Sequence, residues 1–379
     1  MENIYMDTGA TTKPYKEVVD FAMEYLTDKW HNPSALYSKA AQVKADVEKS
    51  RKIVADFINA KPEEIVFNSG STEGNNHVIR GFDDITNGKK ATIYTTPIEH
   101  KSILRAVENP CLHSQTEYIS IDKYGLVDLD ALEKQLKGKK STFLVSVMAA
   151  NNEVGSINKL QRIAEIVHKH NGIFHTDATQ LLPHYKMNVE ELGVDLLTGS
   201  SHKLGGLKGT GFLYIRDGIN LSPLLFGEQE SGSRGGTENV MGIIAMAKAI
   251  ELTKAQMENR SMFMTIKRNY LIKKLEWLGC KLNGVFMHRL PNNVNVTLPA
   301  GVSGESLVYM LDLDGIFIST GSACNSKLVE PSHVLKSMGL SDDEANRSVR
   351  FTLSEDITEE QIDYVVDCVE KAIRLLTME

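Results

Sequence analysis

The sequence predicts an α/β protein: a large domain with a mostly parallel sheet covered by helices, plus a smaller α+β domain. Three observations lead there. Short apolar runs alternate with helix-period stretches between residues 64 and 215, as repeated strand-helix units require. At 379 residues the chain is long for a single core. A helical pattern over 240–278 is too long for one ordinary globular helix and reads as a connection between domains. The expected division is 14–257 for the large domain and 1–13 with 258–379 for the smaller one.

Taken in order, Ile4-Tyr5-Met6-Asp7 is a short strand running into a turn, and Pro14 opens an amphipathic helix in its first turn. His31-Asn32-Pro33-Ser34 is a loop before a second helix over 36–58. Ile65-Val66-Phe67 then leads into the small-residue turn 68–74 and a helix carrying His77, Val78 and Ile79. The same unit repeats. Strand 91–94 leads to Glu99-His100, strand 143–147 to Asn151-Asn152-Glu153, and strand 172–176 to Asp177-Ala178-Thr179-Gln180. An apolar run over 194–198 ends in Ser200-Ser201-His202-Lys203, four glycines follow, and a further strand spans 212–215. Past the polar loop 227–239 and the long helix, Asn293 to Leu298 alternates as a half-buried strand should. A helix over 303–311, a strand over 316–318 and a small-residue loop holding Cys324 come next. The chain closes with a strand over 348–353 that carries Arg350, and a helix opened by the capping box Thr358-Glu359-Glu360-Gln361.

Composition narrows the function. A net charge of −7 argues against a general nucleic-acid binder. The N-terminus lacks a basic segment followed by an apolar one, and no apolar stretch is long enough to span a bilayer. Cys111, Cys280, Cys324 and Cys368 are widely spaced without a CxxC, which disfavours a zinc site or a disulfide framework. The expectation is a reduced, cytoplasmic enzyme without metal, nucleic acid or membrane.

In a parallel sheet, ligands bind beyond the carboxyl ends of the strands, where His100, Asn152, Asp177, Gln180 and Lys203 should converge. Lys203 on its turn is a candidate Schiff-base lysine for a carbonyl cofactor, with a solvated turn lysine as the ordinary alternative. Ser71 and Thr72 at a helix start suit a phosphate, though a plain helix cap is the ordinary alternative. Cys368 sits at helical spacing with Val365, Val369 and Ala372 and reads as core, whereas Cys324 has small polar neighbours and the exposure a reactive thiol needs.

Together these residues resemble the cysteine desulfurases of the class V, fold type I pyridoxal phosphate family, in the nitrogen-fixation and iron-sulfur housekeeping branch. The resemblance rests on ordered matches: the opening 4–12, His31-Asn32-Pro33-Ser34, Glu99-His100-Lys101, Asn151 to Gly155, His175 to Gln180, Ser201-His202-Lys203, Gly321-Ser322-Ala323-Cys324 and Arg347 to Phe351. Departures from the usual pattern are Thr8-Gly9 for Asn-Ala, Leu207 for proline, and Asn325 and Lys327 after the cysteine. By resemblance, Lys203 would hold pyridoxal 5'-phosphate covalently, Asp177 would pair with the ring nitrogen, and His100 would stack on the ring and move protons. Asn152 and Gln180 would support ring and substrate. Ser71, Thr72, Ser200 and His202 would cradle the phosphate, joined by the partner subunit's Thr237 in a homodimer. Arg350 would clamp the carboxylate of L-cysteine, and Cys324 would take the sulfur as a persulfide for an acceptor protein, such as an iron-sulfur scaffold, or a small thiol. A selenocysteine lyase or another class V enzyme stays open as an alternative at this point, and the presence of both Lys203 and Cys324 disfavours a non-catalytic scaffold.

Overall fold

The computed structural model describes residues 3–86, 91–320 and 330–377. Strand β1 (Ile4–Tyr5) is followed by helices α1 (Lys16–Thr27) and α2 (Ser38–Ile58). Then β2 (Ile65–Asn68), α3 (Ser71–Thr86), β3 (Thr92–Thr95), α4 (Lys101–Val107), β4 (Gln115–Tyr118) and α5 (Leu129–Leu136) alternate. They continue as β5 (Phe143–Ser146), α6 (Leu160–Lys169), β6 (Ile173–Asp177), α7 (Val189–Leu192), β7 (Leu196–Ser200) and β8 (Gly211–Ile215). These strands form one seven-stranded sheet in the order β2-β8-β7-β6-β5-β3-β4. All neighbours are parallel except β8, which runs antiparallel to β2 and β7.

Alternation along each strand explains the two apolar layers. Phe67, Tyr94, Val145, Phe174, Leu197 and Phe212 join one core, while their neighbours Val66, Ile93, Leu144, Leu196 and Leu213 pack on the other face with Val78, Ile79 and Phe82 of α3. Both faces are therefore dry, as a parallel sheet requires.

Beyond the sheet run α8 (Val240–Trp277), β9 (Lys281–Leu282), β10 (Asn293–Thr297), α9 (Gly304–Leu313) and β11 (Ile316–Phe317). Helices α10 (His333–Ser337) and α11 (Asp342–Asn346), strand β12 (Ser348–Thr352) and helix α12 (Glu359–Thr377) complete the chain. Strand β10 lies between β12 and β9, antiparallel to both, and β1 returns to pair in parallel with β11. A separate core gathers Met6, Val294, Val296, Val349, Phe351, Ile362 and Val369, with Cys368 at its margin. The length of α8 has a reason: Ile243, Ala249 and Met257 sit in the sheet's core, and Leu271 and Leu275 in the second.

Two expectations need correction. Pro14 stands outside α1, whose N-cap is Tyr15, so it leads into the helix rather than occupying its first turn. Strand β10 is buried at every residue, not half-buried, because Asn293 and Asn295 satisfy their amides internally by donating to the Glu153 carbonyl at 3.1 and 3.2 Å. The capping box holds, with Thr358 N–H donating to Gln361 and Gln361 N–H to Thr358 Oγ1.

Candidate active site

Lys203 ends a single 3-10 turn, Ser201–Lys203, that leaves the carboxyl end of β7. The return of the chain needs glycine at 205. Its φ is +76°, and a Cβ there would meet the Tyr15 ring at 2.2 Å. The N-terminal segment clamps this turn. The Lys203 ammonium donates to the carbonyls of Gly9 and Ala10, the latter at 2.7 Å, and the Gln180 amide donates to Gly9 O at 3.1 Å. Thr12 Oγ1 donates to His202 O at 2.8 Å and accepts from Gly205 N–H at 3.0 Å. The hold of residues 9–12 on the lysine turn is carried by main-chain carbonyls together with the Thr11 and Thr12 hydroxyls. A cavity of about 440 Å³ reaches Lys203 and Gln180 and is also lined by Tyr15, His184 and Arg260.

Asp177 closes β6 and is buried. Its Oδ1 accepts from Thr179 N–H at 3.0 Å and its Oδ2 from the Asn75 amide at 2.7 Å. The same Asn75 nitrogen lies 2.9 Å from Ser102 Oγ, which lies 2.8 Å from His100 Nδ1. His100 is the N-cap of α4, and Ser102 N–H donates to its Nδ1 at 3.2 Å. A main-chain N–H can only donate, so Nδ1 carries no proton and the neutral ring keeps its proton on Nε2. Burial holds the His100 pKa below the ordinary histidine value, with Lys203 and Lys101 adding to the effect and Asp177 opposing it. Asn75 and Ser102 are site residues that sequence reasoning missed, since both look like ordinary helix residues.

Ser71 and Thr72 begin α3, and the first bond back along the helix is Gly74 N–H to Gly70 O at 3.1 Å. The N–H groups of Ser71, Thr72 and Glu73 thus form an anion cup at the start of the helix. Ser200 lies beside it: a Cβ on Gly70 would meet Ser200 Oγ at 3.7 Å. His202 bonds Thr11 Oγ1 at 3.1 Å, and burial together with Lys203 and Lys208 lowers its pKa to about 4. Glu73 turns away from the cup, accepting from Ser69 N–H at 2.9 Å and from Arg234 Nε at 2.8 Å. That pair ties the loop holding Thr237 to the start of α3, and Thr237 shares a crevice with Asn68, Ser69 and Arg234.

Arg350 on β12 is buried. It donates to Asp7 Oδ1 at 2.8 Å and to the main-chain carbonyl of Asn152 at 3.0 Å, and its Nε has no partner among the described residues. A Cβ on Gly9 would lie 3.4 Å from the guanidinium carbon, so one short segment, 7–10, separates Arg350 from Lys203. The structure brings together Lys203, Gln180 and His202 on one side, Asp177 and His100 on another, and Arg350 with Asn152 on the third. Cys324 lies outside the described residues. Among those residues no group of three or more His, Cys, Asp or Glu could hold a metal, and no helix is long and apolar enough to cross a membrane.

A lysine, an acid and a histidine presented at the carboxyl edge of a mainly parallel sheet are the architecture of a fold type I α/β enzyme. Comparison with known proteins narrows this. Residues 4–365 match the family described as aminotransferase class-V. A cysteine desulfurase IscS of Dictyoglomus turgidum is 42% identical over 98% of this chain and 95% of its own length. A solved NifS-like protein superposes with a TM-score of 0.91 at 33% identity, over 98% of this chain and all (100%) of that one. A structure described as SspA in complex with cysteine gives a TM-score of 0.80 at 30% identity, over 92% of this chain and 98% of the other. The chain belongs to the class-V aminotransferase family, among its cysteine desulfurases.

Proposed function

We propose that this chain is a pyridoxal phosphate-dependent cysteine desulfurase. It converts L-cysteine to L-alanine, and the sulfur passes to Cys324 as a persulfide and then to an acceptor protein, such as an iron-sulfur scaffold, or a small thiol. The observation that carries this reading is that Lys203 and Arg350 both bond the segment 7–10, while Asp177 is linked through Asn75 and Ser102 to His100.

The residues fit the cofactor's three functions. Lys203 supplies an amine for its aldehyde, Asp177 an oriented carboxylate for its ring nitrogen, and the start of α3 with Ser71, Thr72, Ser200 and His202 a cup for its phosphate. His202 is neutral at physiological pH and accepts or donates one hydrogen bond without adding charge. When bound, the cofactor supplies an electron sink for the pair left at the substrate α-carbon. Arg350 binds the substrate carboxylate, held ready by Asp7 and the Asn152 carbonyl. His100 holds a proton on Nε2 and stacks on the ring, and Asn152 and Gln180 support ring and substrate. The sulfur balance is simple: a Cys324 thiol and L-cysteine give alanine and a Cys324 persulfide.

The working unit in this reading is a cytoplasmic homodimer in which the partner subunit's Thr237 reaches the phosphate. Its large domain spans 14–257, and 1–13 with 258–379 form the smaller one that carries the Cys324 loop. The test is spectroscopic. Purified protein is expected to be yellow, and Lys203→Ala to lose both the covalent attachment and the corresponding absorbance band. A wild type that stays colourless after incubation with pyridoxal phosphate would end the reading.

A further inference from the structure

Asn75 has no exposed surface, and its one amide nitrogen spends both hydrogens in the site: one on Asp177 Oδ2 at 2.7 Å, the other on Ser102 Oγ at 2.9 Å. Its carbonyl oxygen is buried with no partner among the described residues. The orientation of the amide is set by charge, since turning it over would press the carbonyl oxygen against the Asp177 carboxylate. A buried acceptor left without a donor costs about 1–3 kcal/mol, which offsets part of what the two bonds contribute, so the polar side chain here serves Asp177 and Ser102. The three bonded groups come from three elements: Asn75 from α3, Asp177 from β6, and Ser102 with His100 from the start of α4.

We infer that Asn75 is a positioning residue of this site: its amide fixes the Asp177 carboxylate and, through Ser102, holds His100 with Nδ1 as acceptor and the proton on Nε2. Ser102 is the link. Because its Oγ accepts from Asn75, its own hydrogen is directed to His100 Nδ1, where Ser102 N–H also donates. Two donors on Nδ1 oppose its protonation. With Asn75 gone, the serine oxygen is free to accept from a protonated Nδ1. The charged groups that act on His100 are Asp177 on β6, Lys203 after β7 and Lys101 on α4; of these Asp177 bonds Asn75, and the Ser102→Ala background separates its effect from that of the serine link.

This inference rests on the desulfurase reading only for its kinetic consequence. The decisive measurement is an NMR titration of the His100 ring in cofactor-free protein, for wild type, Asn75→Leu, Ser102→Ala and the double variant. Asn75→Leu is expected to raise the His100 midpoint by about one pH unit, with some loss of thermal stability because Asp177 Oδ2 loses a donor. In the Ser102→Ala background the same change is expected to have little effect on that midpoint. In the loaded enzyme Asn75→Leu should lower kcat for L-cysteine about 10- to 100-fold, move its acid limb to higher pH and leave KM nearly unchanged. An unmoved midpoint in Asn75→Leu, or an equal shift with and without Ser102, overturns the inference. Asn75→Ala gives the same readout if leucine prevents folding. A wild type that does not turn over L-cysteine defeats the desulfurase reading and leaves the titration test intact.

Discussion

Glu99, the neighbour of His100, shows how single residues set the chemistry of this site. It is fully buried, accepting from Thr96 Oγ1 at 2.6 Å and Met148 N–H at 3.0 Å, and burial pushes its pKa up to about 8. Below its ordinary value near 4.5 the carboxyl is protonated whether folded or not. Between there and about 8 the unfolded chain releases a proton that the folded chain keeps, so stability falls by about 1.4 kcal/mol per pH unit as pH rises. Buried His175 and His184, lowered to about 4 and 3, act with the opposite sign, but only below the ordinary histidine range. Above pH ~6.5 the Glu99 effect is joined by two of the same sign, from His168, raised by its bond to Asp195, and from Glu153, raised by burial. Glu99→Gln is therefore expected to flatten the fall in stability from pH 6.5 to 8 in denaturant titrations, and parallel curves for the two proteins would refute it. Arg350 gives a second residue-scale prediction. Lysine cannot reproduce its paired contacts with Asp7 and the Asn152 carbonyl while holding a carboxylate, so Arg350→Lys should raise KM for L-cysteine at least about tenfold, with a smaller effect on kcat.

Elements place these residues, and they differ in how plainly the sequence announces them. Strands β5, β6 and β7 are legible because burial on both faces demands unbroken apolar runs, and the residues just after β6 and β7 include Gln180 and Lys203. Strand β4 shows no such run: Gln115, Thr116, Glu117 and Tyr118 form an exposed edge that, among the described residues, pairs only with β3. Strand β10 reads as half-buried because nothing in the sequence reveals that the Asn293 and Asn295 amides find the Glu153 carbonyl. Lys203, Asp177 and His100 follow predicted strands and are legible, whereas Asn75 hides inside α3 and is visible only through distances. The turn after β7 supplies the element-scale prediction. Gly205→Ala needs a positive φ from alanine and pushes into Tyr15, so it should cost about 1–3 kcal/mol of stability and weaken cofactor retention. Normal melting together with full cofactor content would show that this turn is not what positions Lys203.

At the scale of the molecule, α8 joins the two cores, and Arg260 in its middle stitches three regions together: it donates to Tyr15 Oη at 2.6 Å, Pro183 O at 2.6 Å and Glu355 Oε2 at 2.9 Å. The first follows β1, the second follows β6 and the third precedes α12. The proposed homodimer is open to direct measurement. Light scattering should give twice the chain mass, and a fully active monomer would exclude a site completed by the partner subunit's Thr237. The central claim is that this fold delivers the sulfur of L-cysteine to Cys324. It is tested most directly by treating the pyridoxal phosphate-loaded enzyme, free of reductant, with a limiting amount of L-cysteine, then measuring alanine and the mass of the Cys324 peptide together. The account predicts one alanine for each Cys324 peptide that gains a sulfur atom, with neither product from Cys324→Ser. Alanine formed with no sulfur on Cys324, or formed equally well by Cys324→Ser, would contradict it.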